Sequence, residues 1–584
     1  MSDDSFIANQ PQTPKGALNS PTQSPFRGLG RTKLIPYLLA LTGALLFLPF
    51  LGKVHLFDWD EINFAECARE MIVAKKYFFV TINYLPFWEK PPLFIWMQAL
   101  CMNIFGISDY AARLPNAICG IATFVVLYKI GTLCKDSRFG LLWVLAYAGS
   151  LLPHFYFKSG IIDPWFNFFI FTGVYFFMRV QMQKKELVAG KSNLFIILSA
   201  CLLGLAIITK GPVALLIFSL CLFIYWLIEK RRAVLNFGQL FLFLLVLLAS
   251  GGLWFGAEIA TGHSNVIMEF INYQIRLFKT EDSGHGGPFY FHVIILLIGC
   301  FPASIFAFRG MSSEMKDDEK GREVSLWMGL LFWVTLILFS IVKTKIIHYS
   351  SLCYYPLTYF AALAMSNLLD GDVKWRKWMS WGLGITGGLI AIALIGLPIA
   401  GMNAQAIINS GILKDPFAAA NLQADIHWSF ADCLLGIFLL VTLIAAIIFL
   451  QKGKIQRGIL TMFLGSLITT NLALAVIAPK IELLTQQSAV EFYQSLQGKN
   501  VYVTTLGFKS YAHYFYSAEQ PLTNIHNTDD AGWRDWLLKG DIDKPAYFVC
   551  KINNIDDWEK WYPQLKEINR KNGFVFLERA VVIK

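Results

Sequence analysis

The chain has 584 residues, of which 55% are hydrophobic and only 15% charged, and its mean hydropathy is +0.50. That composition excludes a string of soluble domains and points to a polytopic membrane protein whose helices face lipid and one another. The net charge of +10 comes from Lys and Arg scattered through short loops, which argues against a nucleic-acid-binding face and fits a positive-inside distribution.

Residues 1–32 are rich in Ser, Pro, Gln and Asn and lack apolar periodicity, so they are predicted to form a disordered cytoplasmic tail. The apolar run from about Leu34 to Leu51 follows Arg31 and Lys33 and has no small-residue cleavage pattern after it. It reads as a spanning anchor with its N-terminus inside, not as a removed signal peptide. Further runs near the spanning length of ~20 residues occur at about 114–134, 138–154, 162–180, 194–209, 212–228 and 235–256. Six more follow at about 290–309, 324–342, 350–369, 377–400, 430–450 and 457–477, making about thirteen transmembrane helices. A shorter amphipathic run at about 92–106 is expected to lie along the interface, within a large first loop over 53–113. Cys119, Cys201, Cys221, Cys300 and Cys433 sit inside apolar runs with no CxxC spacing and read as small apolar side chains.

Basic residues concentrate in one alternate set of loops, which makes that set cytoplasmic. The opposite, outer set collects Asp58, Asp60, Glu61, Glu89, Lys90, Asp163, Lys210, His285, Lys343, Lys345 and His348, each near a predicted membrane surface. Ionisable groups beside a membrane are costly and mark function by default. A transporter would place them nearer the bilayer midplane on broken helices, so chemistry at the outer interface is the better reading.

The domain organisation predicted is thus a tail over 1–32, a membrane domain over 33–477 and a small outer α/β domain over 478–584. In the last, 501–505, 546–550 and 574–582 read as strands or a hairpin, and 485–497, 509–517 and 555–568 as helical.

If the outer chemistry is glycosyl transfer, Asp60 and Glu61 are the carboxylates to take an acceptor proton while the sugar carbon gains positive character. Asp163, ahead of Pro164, reads as a helix N-cap and as a second such carboxylate. Lys90, Lys210, Lys343 and Lys345 are together suited to an anionic headgroup, though any one of them alone reads more readily as a snorkelling interface anchor. Glu89 and His285 are both outer-facing and form a candidate pair for one divalent cation, with a pH-sensitive hydrogen bond as the alternative for His285.

Taken in order, Asp60-Glu61-x-x-Phe64-Ala65-Glu66, Phe87-x-Glu89-Lys90-Pro91, Ala112-Arg113-Leu114-Pro115, Asp163-Pro164, Thr209-Lys210-Gly211, His285-x-x-Pro288-Phe289 and Lys343-x-Lys345-x-x-x-Tyr349 resemble the bacterial aminoarabinose transferases of lipid A. These are grouped with the protein O-mannosyltransferase-like enzymes of the GT-C class. The resemblance implies a GT-C fold in the bacterial inner membrane and a sugar donor carried on polyprenyl (undecaprenyl) phosphate. It also implies a lipid A-like or protein acceptor on the periplasmic side and no organic cofactor. By the same resemblance Asp60 and Asp163 are catalytic, Lys90, Lys210, Lys345 and Tyr349 gather the donor phosphate, and Glu89 with His285 holds a metal. Two positions depart from the pattern: Asn63 stands where arginine is expected, and His348 where threonine is expected. A lipid-linked sugar flippase is the alternative function.

Overall fold

The computed structural model describes residues 33–188, 191–232, 234–281, 286–521 and 530–581. The predicted tail over 1–32 and the metal candidate His285 lie outside the described residues. All thirteen predicted apolar runs fall on helices. Seven helices among the described residues are long and apolar enough to cross a membrane, or up to nine when each of two bent pairs counts as one span. The bent pairs are Ser137–Ala148 with Leu151–Lys158, at 84°, and Phe291–Gly299 with Ala303–Gly310, at 110°. Pro153 and Pro302 lie at these breaks, where a residue without an N–H interrupts the helical ladder at least cost. The other four runs fall on Ile35–Phe47, Asp163–Lys184, Val213–Ile228 and Tyr354–Asp370, and three of these have 13, 16 and 17 residues. The count of thirteen spans is therefore not reached on length and composition alone.

Neighbouring helices approach closely where side chains are smallest. A Cβ on Gly131 would lie 2.7 Å from Gly140 Cα, so Asp109–Cys134 and Ser137–Ala148 pack backbone against backbone.

The first loop is structured throughout. Leu93–Phe105 is helical where the interfacial helix was expected, burying Phe94, Ile95, Ala99 and Met102 and exposing Leu100, Ile104 and Phe105. Before it, Asp60–Ala74 forms a helix in which every residue from Glu61 to Met71 is buried. A helix this polar is buried only because partners satisfy it: Arg69 forks onto Glu66 at 2.6 and 2.7 Å, and Glu70 accepts from Thr81 and from the Tyr84 N–H.

Beyond residue 478 the chain builds a four-stranded sheet in the order Tyr502–Leu506, Ala546–Lys551, Phe574–Arg579, Lys566–Lys571. The first pair is parallel and the others antiparallel. Trp533, Leu537 and Leu538 of the helix Asp530–Lys539 pack on one face, and Phe492 stacks on Phe576 at 4.2 Å on the other. The predicted helix over 555–568 is shorter, ending at Trp561, and its last residues belong to a strand. The cause is the turn Asn572-Gly573, with φ of 50° and 77°, which closes a tight hairpin.

Candidate active site

The site begins at the N-terminus of the helix Asp60–Ala74. Trp59, just ahead of it, has φ 73° and ψ −116°, a conformation a bulky residue holds only where its surroundings enforce it. The enforcing contacts come from both sides. Arg113 reaches Glu61 at 3.1 and 2.7 Å and donates its remaining N–H groups to the carbonyls of Leu51, Val54 and His55. From the C-terminal residues, Glu482 accepts from the His55 N–H, the Tyr516 hydroxyl lies 2.7 Å from the Leu56 N–H, and the Tyr511 N–H approaches Asp58 Oδ1 at 3.4 Å.

Held in this way, Asp60 faces His348 from the turn Ile347–Cys353, with Oδ2 3.2 Å from Nε2. The same nitrogen is 3.7 Å from Oδ2 of Asp163, and Lys210 Nζ is 2.5 Å from Asp163 Oδ1. Four ionisable side chains from four separate segments thus form one chain of contacts. Desolvation opposes the charge on Asp60, but the His348 hydrogen bond and the positive groups around the carboxyl, Lys90 and Lys210 among them, hold it well below the usual range. Lys210 sits over the rings of Tyr349 and Phe166 at 5.0 and 5.7 Å, and Lys90 over Tyr273 at 4.9 Å.

Two cavities meet here. One, of about 570 Å³, is lined by Lys90, Lys210 and Lys279, by the acids Asp60 and Asp163, and by apolar side chains that include Leu216, Ile217, Phe339 and Leu352. The other, of about 510 Å³, is lined by Asn63, Glu89, Arg276 and, from the C-terminal residues, Lys509 and Tyr511. Asp60, Tyr273, Ile346 and His348 line both. The arrangement suits a reaction between two bound molecules that meet at Asp60.

The family model for dolichyl-phosphate-mannose-protein mannosyltransferase matches residues 89–254. Undecaprenyl phosphate-alpha-4-amino-4-deoxy-L-arabinose arabinosyl transferase of Pectobacterium carotovorum is 26% identical over 436 residues, covering 70% of this chain and 76% of that protein. Its counterpart in Pectobacterium atrosepticum is 26% identical over 434 residues, covering 70% and 75%. The crystal structure of ArnT from Cupriavidus metallidurans bound to undecaprenyl phosphate matches with a TM-score of 0.72 at 17% identity, covering 94% of this chain and 99% of that one. The chain is similar to the aminoarabinose transferases over 70% of its length. The fold expected from the resemblance, GT-C with a small C-terminal α/β domain, is the fold observed.

The structure brings together Asp60, Asp163, Lys90, Lys210 and Tyr349, with Glu89 on the adjoining cavity. Three expectations change. Glu61 does not face the cavities' junction as a free carboxylate: both its oxygens are taken by Arg113 and by the N–H groups of Phe57 and Gly160. Lys345 turns back on its own chain, donating to the carbonyls of Phe339, Ser340 and Val342 at 3.1, 2.7 and 2.5 Å, where it closes the end of the helix Glu319–Ile341. Asp163 caps nothing, because Ile162 occupies the N-cap and Asp163 is the first helical residue, paired with Lys210 instead.

His348 and Tyr273 are at the centre of the site, and neither had been given a role from sequence. The sequence groups His348 with the other charges of the outer loops; Tyr273 lies in an amphipathic helix with no motif to mark it. As for a metal, Glu89 is the only described half of its proposed pair, and among the described residues no three His, Cys, Asp or Glu side chains converge as ligands would. No step below passes through a metal.

Proposed function

We propose that this protein transfers a sugar from a polyprenyl phosphate donor, of the undecaprenyl type, to a hydroxyl or phosphate of a lipid A-like lipid or a protein. The observation that carries the reading is the junction of two cavities at Asp60. The first combines lysines with apolar side chains, which suits a phosphate with a long hydrocarbon tail, and the second leaves room for an acceptor. In this reading Lys90, Lys210 and Tyr349 hold the donor phosphate and stabilise the charge that grows on it as it leaves. Asp60 faces the sugar carbon and stabilises its positive character, while Asp163 positions Lys210 and His348. The asymmetry of basic loops supports a periplasmic location for this face and an inner-membrane home. The relatives named above, and the undecaprenyl phosphate bound to the solved ArnT, support the donor class.

The test is formation of a new glycosidic bond. The full-length protein in detergent, given a synthetic polyprenyl-phosphate sugar and lipid A, is expected to yield glycosylated acceptor by mass spectrometry. A flippase moves the donor and makes no such bond, so movement of the donor without product would overturn the reading.

The two lysines separate within the same assay. Lys210→Ala is expected to raise KM for the donor about tenfold or more, the cost of one charge-assisted contact. Lys345→Ala is expected to leave that KM unchanged and to lower stability by about 1–3 kcal/mol, since it uncovers buried carbonyls. Thermal melts in detergent measure the second effect.

A further inference from the structure

A hydroxyl acceptor sheds a proton as its oxygen bonds to the sugar carbon, and the group that takes it works best when its proton affinity matches the ambient pH. Asp60 is poorly suited to that task alone. Despite its desolvation, His348, Lys90 and Lys210 favour its charged form. The imidazole of His348 stands between two carboxylates, its Nε2 3.2 Å from Asp60 and 3.7 Å from Asp163, and its side chain lines both cavities while only 16% exposed. Negative charge on two sides of one ring nitrogen favours the tautomer with hydrogen on Nε2, which leaves the lone pair on Nδ1.

We propose that His348 is the proton acceptor in the transfer step and that the acceptor nucleophile is a hydroxyl. This rests on the glycosyl-transfer reading above and narrows its acceptor to one chemical class. In the step, the acceptor oxygen forms its bond to the sugar C1 as the bond from C1 to the polyprenyl phosphate oxygen breaks, and that bonding pair leaves on the phosphate. The hydroxyl proton passes to Nδ1. The resulting imidazolium lies between Asp60 and Asp163, at 3.2 and 3.7 Å, whose negative charges face its new positive one. A phosphate nucleophile is already largely ionised at neutral pH and needs no such partner.

The charged and titratable groups around the ring are Asp60 and Asp163, Lys90 and Lys210, and Tyr349. Arg276 and Lys279 of the helix Ser264–Lys279 line the cavities, and His292 of the helix Phe291–Gly299 feels the charge of His348.

The experiment is the pH profile of kcat/KM for the full-length protein in detergent, with a hydroxyl-bearing glycolipid acceptor. Wild-type activity is expected to fall on the acid side, where a base that must accept a proton is already protonated. His348→Gln is expected to lower kcat by about 10²–10⁴-fold, to abolish that acid limb and to leave KM for the donor nearly unchanged. Imidazole added to His348→Ala is expected to restore part of the rate, which a merely structural role would not allow. An acid limb that persists in His348→Gln, a loss confined to donor KM, or loss of an alkaline limb instead would each overturn the assignment; the last two would make His348 a cation toward the donor phosphate. Absence of any product from the wild type would instead sink the glycosyl-transfer reading itself.

Discussion

Replacing Asp60 by asparagine is expected to lower transfer by about 10²–10³-fold, the usual cost of removing one preorganised charge from a reacting centre, while the protein still folds. Asparagine has the same shape, so the cavity junction keeps its form. What is lost is the negative charge facing the sugar carbon and the anion that orients His348 at 3.2 Å. The stability change is expected to be small because Asp60 is partly exposed, with 36% of its side chain accessible, and it contributes to its own helix mainly as an acid in the first turn. Such a contribution is about 0.3–1 kcal/mol. Initial rates with a synthetic polyprenyl-phosphate sugar, measured beside a thermal melt, check both halves. A variant that keeps more than a tenth of the wild-type rate would remove Asp60 from the chemistry.

The next residue is expected to behave in the opposite way. Glu61→Ala should lower stability by about 3–5 kcal/mol, because it strands the buried Arg113 charge without its partner. Both side chains are about 5% exposed or less, and the pair is bidentate at 3.1 and 2.7 Å. Arg113 also gathers the carbonyls of Leu51, Val54 and His55, so its displacement would free the loop that presents Asp60. The melting temperature in detergent reads this directly. Replacing both partners by apolar residues, as in Glu61→Leu with Arg113→Met, is expected to recover much of the stability, because no uncompensated charge remains. A double variant no more stable than Glu61→Ala would show that the pair acts through something other than charge compensation.

These two neighbours also mark how far the sequence could be read. Both are acids at the start of one helix, and nothing local separates them. The distinction is made by Arg113, 52 residues further along the chain. Apolar runs were legible because a membrane helix writes its signal into some twenty consecutive residues, and charges could be grouped by alternate loops and by the order of their motifs. Asp60, Asp163, Lys90 and Lys210 were selected on that basis, and the structure brings them together. Lys345 was misjudged, although the sequence held the cue: it follows the end of a long apolar run, where a lysine satisfies the last carbonyls of its own helix. His348 acquires meaning only from the two carboxylates that meet at its ring, and no spacing along the chain reveals such a meeting. In the C-terminal part, Lys566–Lys571 carries too many charges to read as a strand, yet Asn572-Gly573 announced the hairpin that makes it one.

The contacts that hold the loop before Asp60 span most of the chain: His55 to Glu482 over 427 residues, Asp58 to Tyr511 over 453 and Leu56 to Tyr516 over 460. At a synthesis rate of about 5–20 residues per second, the loop emerges on the order of tens of seconds before the residues that fasten it. In the last part of that interval, once His348 has been made, the nascent chain holds the segments bearing Asp60, Asp163, Lys210 and His348, but not the clasp that sets the first of them in place. The loop that presents Asp60 is therefore fastened last, with the final stretch of translation.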